Sequence, residues 1–211
     1  MDIEKGRLLM KKKTVLRKFG MAAMVLALSM AMLTGCGNKS NRNSDEVQSD
    51  ETVDSTGMVH LDSAEDVSAF MEEVYGGVAE DLLPMAIETN ELDLTDTDML
   101  SYHTGLTDIT GIEGIYLSES MMSSTAYSAI YIRTSEDADA EQIRQQLMDN
   151  INPAKWICVS AEKEYGVLFG NDIFFVMGAQ DTADEVLSKA TAAAKSRGMR
   201  TSEVSEKTNP I

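Results

Sequence analysis

The chain has 211 residues, with 18 Lys and Arg against 35 Asp and Glu, a formal net charge of −17. So acidic a chain repels phosphate, which argues against nucleic acid as a partner. Its length suits one domain with flanking segments.

The first predicted element is a secretion signal. Lys11, Lys12, Lys13, Arg17 and Lys18 form a basic cluster, and Met21 to Leu33 follows without a charge, interrupted only by Ser29. Leu33-Thr34-Gly35-Cys36 closes that run with two small residues and a cysteine. A basic start, a short apolar core and a small-residue junction make the secretory pattern. The run is shorter than the roughly 17–25 apolar residues of a membrane span. We read residues 1–35 as a lipoprotein signal peptide, with Leu33, Thr34 and Gly35 as its cleavage motif and Cys36 as the lipidated residue. Met10-Lys11-Lys12-Lys13 is a more natural beginning for this segment than Met1. The expected address is the extracytoplasmic face of the cell membrane, held there by the lipid on Cys36.

Beyond residue 35 the remaining 176 residues carry 33 acids against 11 bases, and no Lys or Arg occurs between Asn43 and Ile132. This surface repels anionic lipid. It attracts cationic partners or divalent ions, or simply keeps an exported domain soluble. Residues 36–60 hold Cys36 and a stretch rich in Asn, Ser, Asp and Thr. Such a composition buries too little surface to order itself and reads as a flexible tether. Cys158 has no intramolecular partner once Cys36 is acylated, and its setting, Lys155-Trp156-Ile157-Cys158-Val159, predicts a buried apolar role.

Residues 61–198 are expected to form a single α+β domain. Ser63-Ala64-Glu65-Asp66 has the capping-box form. Val67, Phe70, Met71, Val74, Tyr75, Val78 and Leu82 then recur at helical spacing, up to a stop at Pro84. Asp93, Asp96 and Asp98 invite a calcium reading, but counting from Asp96 places Leu100 at position five, Ser101 at six and Thr107 at twelve, which no EF-hand accepts. Thr95 or Asp96 instead caps a short helix that ends near Gly105.

From Ile112 the period becomes two. Ile115 and Leu117 share a face of one strand; Ser128, Ile130 and Ile132 alternate with Tyr127, Ala129 and Tyr131 in the next. Tyr127 and Tyr131 are the candidates for an exposed aromatic binding surface. A helix over Ala138 to Asn150 stops at Pro153, and Gly170-Asn171 turns a β-hairpin. Asp181 is expected to cap the last helix and Gly198 to close it, leaving 199–211 as a frayed polar tail. The predicted sheet is antiparallel, with about four strands and helices packed on one face, in the order helix, two strands, helix, β-hairpin, helix.

Several segments carry a family likeness: the early amphipathic helix, the acidic stretch Glu91 to Met99, the Ala129-Ile130-Tyr131-Ile132 strand and the helix start from Ser135 to Leu147. To these is added Gly170-Asn171-Asp172-Ile173-Phe174-Phe175-Val176, which matches a Gly-Asn-Tyr-Val-like hairpin, with Asp172 where an aromatic is usual. On these features the stretch from about Asp62 to Arg197 resembles the bacterial domain-of-unknown-function family 4358, small lipoproteins mainly of Gram-positive anaerobes. The resemblance implies the lipoprotein address and the order of elements. It implies no activity, catalytic residue or ligand.

No chemical motif accompanies the fold. Gly76-Gly77 lacks a following Lys-Ser/Thr, and neither Cys-x-x-Cys nor His-Glu-x-x-His occurs. No cofactor, metal site or catalytic residue is expected. The reading is a non-enzymatic binding module for an envelope protein or small ligand. The alternative is an exported hydrolase or accessory enzyme, its site assembled only in three dimensions around His60 or His103 with carboxylates. In either case Cys36→Ala is expected to abolish metabolic lipid labelling and to leave the precursor uncleaved or the protein released; unchanged labelling would exclude Cys36 as the anchor.

Overall fold

The structure is a computed structural model that describes residues 60–122 and 124–210. The expected signal segment, its cleavage motif, Cys36 and the tether up to residue 59 lie outside the described residues.

The elements in chain order are α1 (Ala64–Gly77), β1 (Ile87–Glu91), α2 (Thr97–Thr104), β2 (Ile112–Ser120), β3 (Ser128–Thr134), α3 (Ala140–Asn150), β4 (Lys163–Phe169), β5 (Asp172–Gly178), α4 (Gln180–Ser196) and β6 (Ser205–Thr208). The expected class, α+β with a single antiparallel sheet, is what the structure shows. The sheet has six strands rather than four, in the order β1-β2-β3-β5-β4-β6. The two additional strands, Ile-Glu-Thr-Asn-Glu and Ser-Glu-Lys-Thr, are polar pieces on the two outer edges. They pair through the main chain and a few polar side-chain contacts, such as Thr89 with Ser118 and Lys163 with Thr208, and show no apolar alternation.

Helices cover both faces of the sheet, which corrects the one-sided packing expected. α1 and α4 pack together over Tyr131, Phe169, Phe174 and Val176. Leu100 of α2 and Ile143 and Leu147 of α3 cover Ile130, Ile132, Ile173 and Phe175 on the other side. The reason lies in β3 and β5, which are apolar on both faces, so a single layer would leave half of their side chains in water. Phe70 of α1 anchors the first layer, its ring 5.4 Å from Tyr131 and 5.9 Å from Phe169.

Ser63 caps α1 as expected, accepting the Asp66 N–H at 3.1 Å. The helix ends at Gly77 rather than at Pro84, after two glycines that weaken it. Asp181 is not the cap of α4. It lies in the first turn, the N-cap is Ala179, and the Gln180 N–H is taken by the Glu162 carboxylate at 3.1 Å. Gly170 turns the β4–β5 hairpin at φ 64. Where the described chain enters, the Leu61 N–H donates to Asp172 Oδ2 at 2.9 Å, and Arg133 Nε donates to the Leu61 carbonyl at 2.8 Å.

The segment 199–211 is not a frayed tail. Ser202 N–H donates to the Leu168 carbonyl, Gly170 N–H to the Arg200 carbonyl, and β6 then runs antiparallel along β4. Asn209 Nδ2 donates to the buried Glu164 carboxylate at 2.7 Å. Burial of the Met199 side chain, 3 % exposed, contributes about 1.5–3 kcal/mol by itself. A chain ending at Gly198 is therefore expected to unfold at clearly lower urea and temperature than the full chain. Superimposable unfolding curves would return these residues to the status of a frayed tail.

Candidate functional site

His103 and Glu119 form a His–carboxylate constellation, and three elements build it. β2 alternates so that Ile115, Leu117 and then Glu119 fall on the face covered by α2 and α3. Asp96 caps α2, accepting the Met99 N–H at 3.1 Å. Leu100 and His103, three residues apart, therefore point inward together. Gly105 ends α2 at φ 73, and a Cβ there would stand 2.4 Å from the Asn150 backbone, so only glycine fits. The loop after α3 brings in Lys155, whose carbonyl accepts the Tyr102 hydroxyl at 2.9 Å.

Lys155 Nζ stands 2.6 Å from Glu119 Oε1, and His103 Nδ1 is 3.5 Å from Glu119 Oε2. The short contact lies off the hydrogen-bonding direction and acts as an ion pair. Lys155 also reaches the His103 carbonyl at 3.3 Å and Ser128 Oγ at 3.4 Å, with its side chain 1 % exposed. Burial alone would raise the Glu119 carboxyl, but the adjacent His103 imidazole and the Lys155 ammonium outweigh it and pull it down to about 2. Burial pulls the Lys155 ammonium below its usual value, opposed by Glu119.

A serine hydroxyl beside a buried lysine suggests nucleophilic chemistry, and the geometry opposes it. Ser128 is fully buried, and the amine that would take its proton is committed to an ionised carboxylate. The cluster ties α2 and the α3–β4 loop to β2. Glu119 had a visible signal in the sequence, a charge in phase with the apolar positions Ile115 and Leu117. Lys155 had none.

The expected contact residues are not at the surface. Tyr127 and Tyr131 are both 0 % exposed, because α1 and α4 cover that face of β3. The Tyr131 hydroxyl donates to Asp172 Oδ2 at 2.8 Å, and the Tyr127 hydroxyl pairs with that of Tyr75 at 3.1 Å. Burial raises both phenols well above their usual value. Cys158 is exposed, not buried, in backbone with φ 60. The loop closes through Ala161 N–H on the Pro153 carbonyl, and Ala161 takes the interior position instead.

Exposed apolar side chains gather around the constellation. Six of the seven large ones among the described residues are Met85, Met99, Tyr102, Met121, Met122 and Ile157. Met99 and Tyr102 are on α2 beside His103, and Ile157 follows Lys155. Met121 and Met122 follow Glu119 at the end of β2, and Met85 lies beside them, its carbonyl accepting the Ser120 hydroxyl at 3.0 Å.

A cavity of about 400 Å³ lies elsewhere, between the α2–β2 loop and α3, lined among others by Asp108, Thr110, Asp139 and Gln142. Two of its three carboxylates are engaged: Asp108 accepts from Thr110, and Asp139 caps α3. Asp93 likewise accepts from Thr95, and no group of three or more His, Cys, Asp or Glu is placed to hold a metal among the described residues. His60 lies near Asp172, whose carboxyl burial pushes up to about 6 against the hydrogen bonds from Leu61, Tyr131 and Thr134. Among the described residues no helix is long and apolar enough to cross a membrane.

No protein-family model, no curated protein and no solved structure was found to match this chain.

The depressed Glu119 carboxyl fixes a sign for acid stability. Its contribution is present above the usual 4.5 and is lost as pH falls from there towards 2; a shift of this size corresponds to about 3 kcal/mol. Glu119→Gln, which strands a buried ammonium, is expected to lower stability at pH 7 by about 3 kcal/mol or more. It should also show a shallower decline between pH 4.5 and 2.5 in urea titrations. Parallel pH profiles for the two proteins would show that Glu119 is not held ionised by the fold.

Proposed function

We propose that this chain is a lipid-anchored bacterial surface lipoprotein whose domain is a non-enzymatic binding module on the extracytoplasmic face. The address rests on Leu33-Thr34-Gly35-Cys36 at the end of an uncharged apolar run behind a basic cluster, followed by a polar stretch suited to a tether. The resemblance to the bacterial domain-of-unknown-function family 4358 fits this address and adds no chemistry.

One observation carries the binding reading. In the same region of the fold, the groups capable of chemistry are buried in contact with one another, while flexible thioethers and a tyrosine ring face water. Methionine side chains adapt to irregular partner surfaces, and tyrosine offers a large contact at low entropic loss. Recognition uses such a surface; catalysis needs the buried groups accessible.

The test is position-specific photo-crosslinking in the intact lipoprotein within its native envelope. A crosslinker at Tyr102 or Met121 is expected to give discrete adducts that one at Lys195, exposed in the last turn of α4, does not. Adducts equal at all three positions, or turnover of an envelope compound that Glu119→Gln abolishes, would overturn the reading.

A further inference from the structure

We propose that the outer edge of β1 is a docking site for an extended, cationic segment of a partner protein, added to the sheet as a seventh strand. This deepens the binding-module reading and rests on it.

The first ground is the main chain. Met121 N–H donates to the Ala86 carbonyl, and Leu92 N–H to the Ile115 carbonyl, which fixes the alternation of the β1–β2 ladder. In an antiparallel pair the residues between such bonded pairs turn their N–H and C=O away. For β1 these are Ile87, Thr89 and Glu91, and none of their outward groups has a partner among the described residues. The opposite edge is treated differently. β6 has four residues, carries Lys207 and runs into Pro210, devices that discourage a further strand. β1 contains no Lys, Arg or Pro. One edge is guarded and the other is open.

Charge selects the occupant. Glu88 and Glu91 are exposed on opposite faces of β1, and neither belongs to an ion pair among the described residues. A neighbouring strand sets its side chains directly across from them, so Lys or Arg on either face finds a carboxylate. A second copy of this chain fits poorly. Antiparallel self-pairing about Thr89 brings the carboxylates of two chains, each of formal charge −17, onto one short ladder. At the end of the strand Ala86 breaks the extended run at φ 54, and Met85 and Met121 are 70 % and 67 % exposed. They offer an apolar seat for one end of the incoming segment, as sheet-edge recognition requires.

The experiment uses the full-length protein in detergent and three labelled eight-residue peptides: alternating Lys-Val, alternating Glu-Val, and the Lys-Val peptide with Pro at two central Val positions. Fluorescence anisotropy is expected to show binding of the Lys-Val peptide, at least tenfold weaker binding of the Pro-interrupted one, and none of the Glu-Val one. Thr89→Pro removes an outward N–H and keeps the main-chain bonds to β2, losing only the Thr89–Ser118 hydroxyl contact, and Glu88→Lys/Glu91→Lys reverses the charge. Each is expected to weaken the Lys-Val peptide at least tenfold with the circular-dichroism melt retained. If Thr89→Pro unfolds the domain, the Pro-interrupted peptide tests the ladder on the unaltered chain.

Equal binding of the two cationic peptides would mean attraction by charge alone and would overturn the strand docking. Absence of Lys-Val binding at millimolar peptide would do the same. A dimer in sedimentation that Glu88→Lys/Glu91→Lys changes would assign the edge to a second copy instead. Should the edge fail while envelope adducts at Tyr102 and Met121 persist, the binding module stands and only this site falls; loss of both removes both readings.

Discussion

Strand β5 has no exposed residue from Asp172 to Gly178, and most of the architecture follows from that constraint. A strand apolar on both faces must be interior in the sheet and must be covered above and below. Its neighbours in the sheet are β3 on one side and β4 on the other. The aromatic face, with Phe174 stacked on Phe169 at 5.6 Å, needs a wide cover, and α1 and α4 together provide it. The opposite face, with Ile173, Phe175 and Met177, is closed by α3 and α2. Asp172, a carboxylate within that buried strand, is held by three donors, so the polar group is matched rather than stranded.

Much of this was legible because apolar side chains kept a regular period. The stripe Val67, Phe70, Met71 and Val74 identified α1, and the alternation of Ile130 and Ile132 with Ala129 and Tyr131 identified β3. Asp96 and Gly105 marked both ends of α2 through their local chemistry. The failures share a physical cause, which is that distant elements decide burial. Tyr127 and Tyr131 alternate as a half-exposed strand would, and only the arrival of α1 and α4 buries them. Trp156 to Val159 reads as apolar, yet the loop closes at Ala161 and turns Ile157 and Cys158 outward. Edge strands β1 and β6 carry no apolar signal, because main-chain pairing and polar side-chain contacts hold them. The Glu119–Lys155 pair joins residues far apart in sequence, and nothing local announces such a meeting.

The division of polar groups between interior and surface gives the region around β1, α2 and β2 its character. The sequence places no Lys or Arg between Asn43 and Ile132, so the carboxylates of this half find permanent cations only from later in the chain. Arg133 takes Glu113 and Lys155 takes Glu119. The carboxylates left over face water beside methionines. The region therefore combines a long-range attraction for positive charge with short-range apolar contact, the first setting encounter rates and the second the lifetime of a complex.

The clamp on Leu61 has a mechanical consequence. Its N–H is held by Asp172 of β5 and its carbonyl by Arg133 of β3, so the chain joins the domain at the two innermost strands, ahead of α1. Tension drawn along the residues upstream of Leu61 is delivered to those strands before it reaches the first helix. α1 is thereby shielded from being peeled away turn by turn. The link that meets the load first is a pair of hydrogen bonds reinforced by the buried Leu61 side chain.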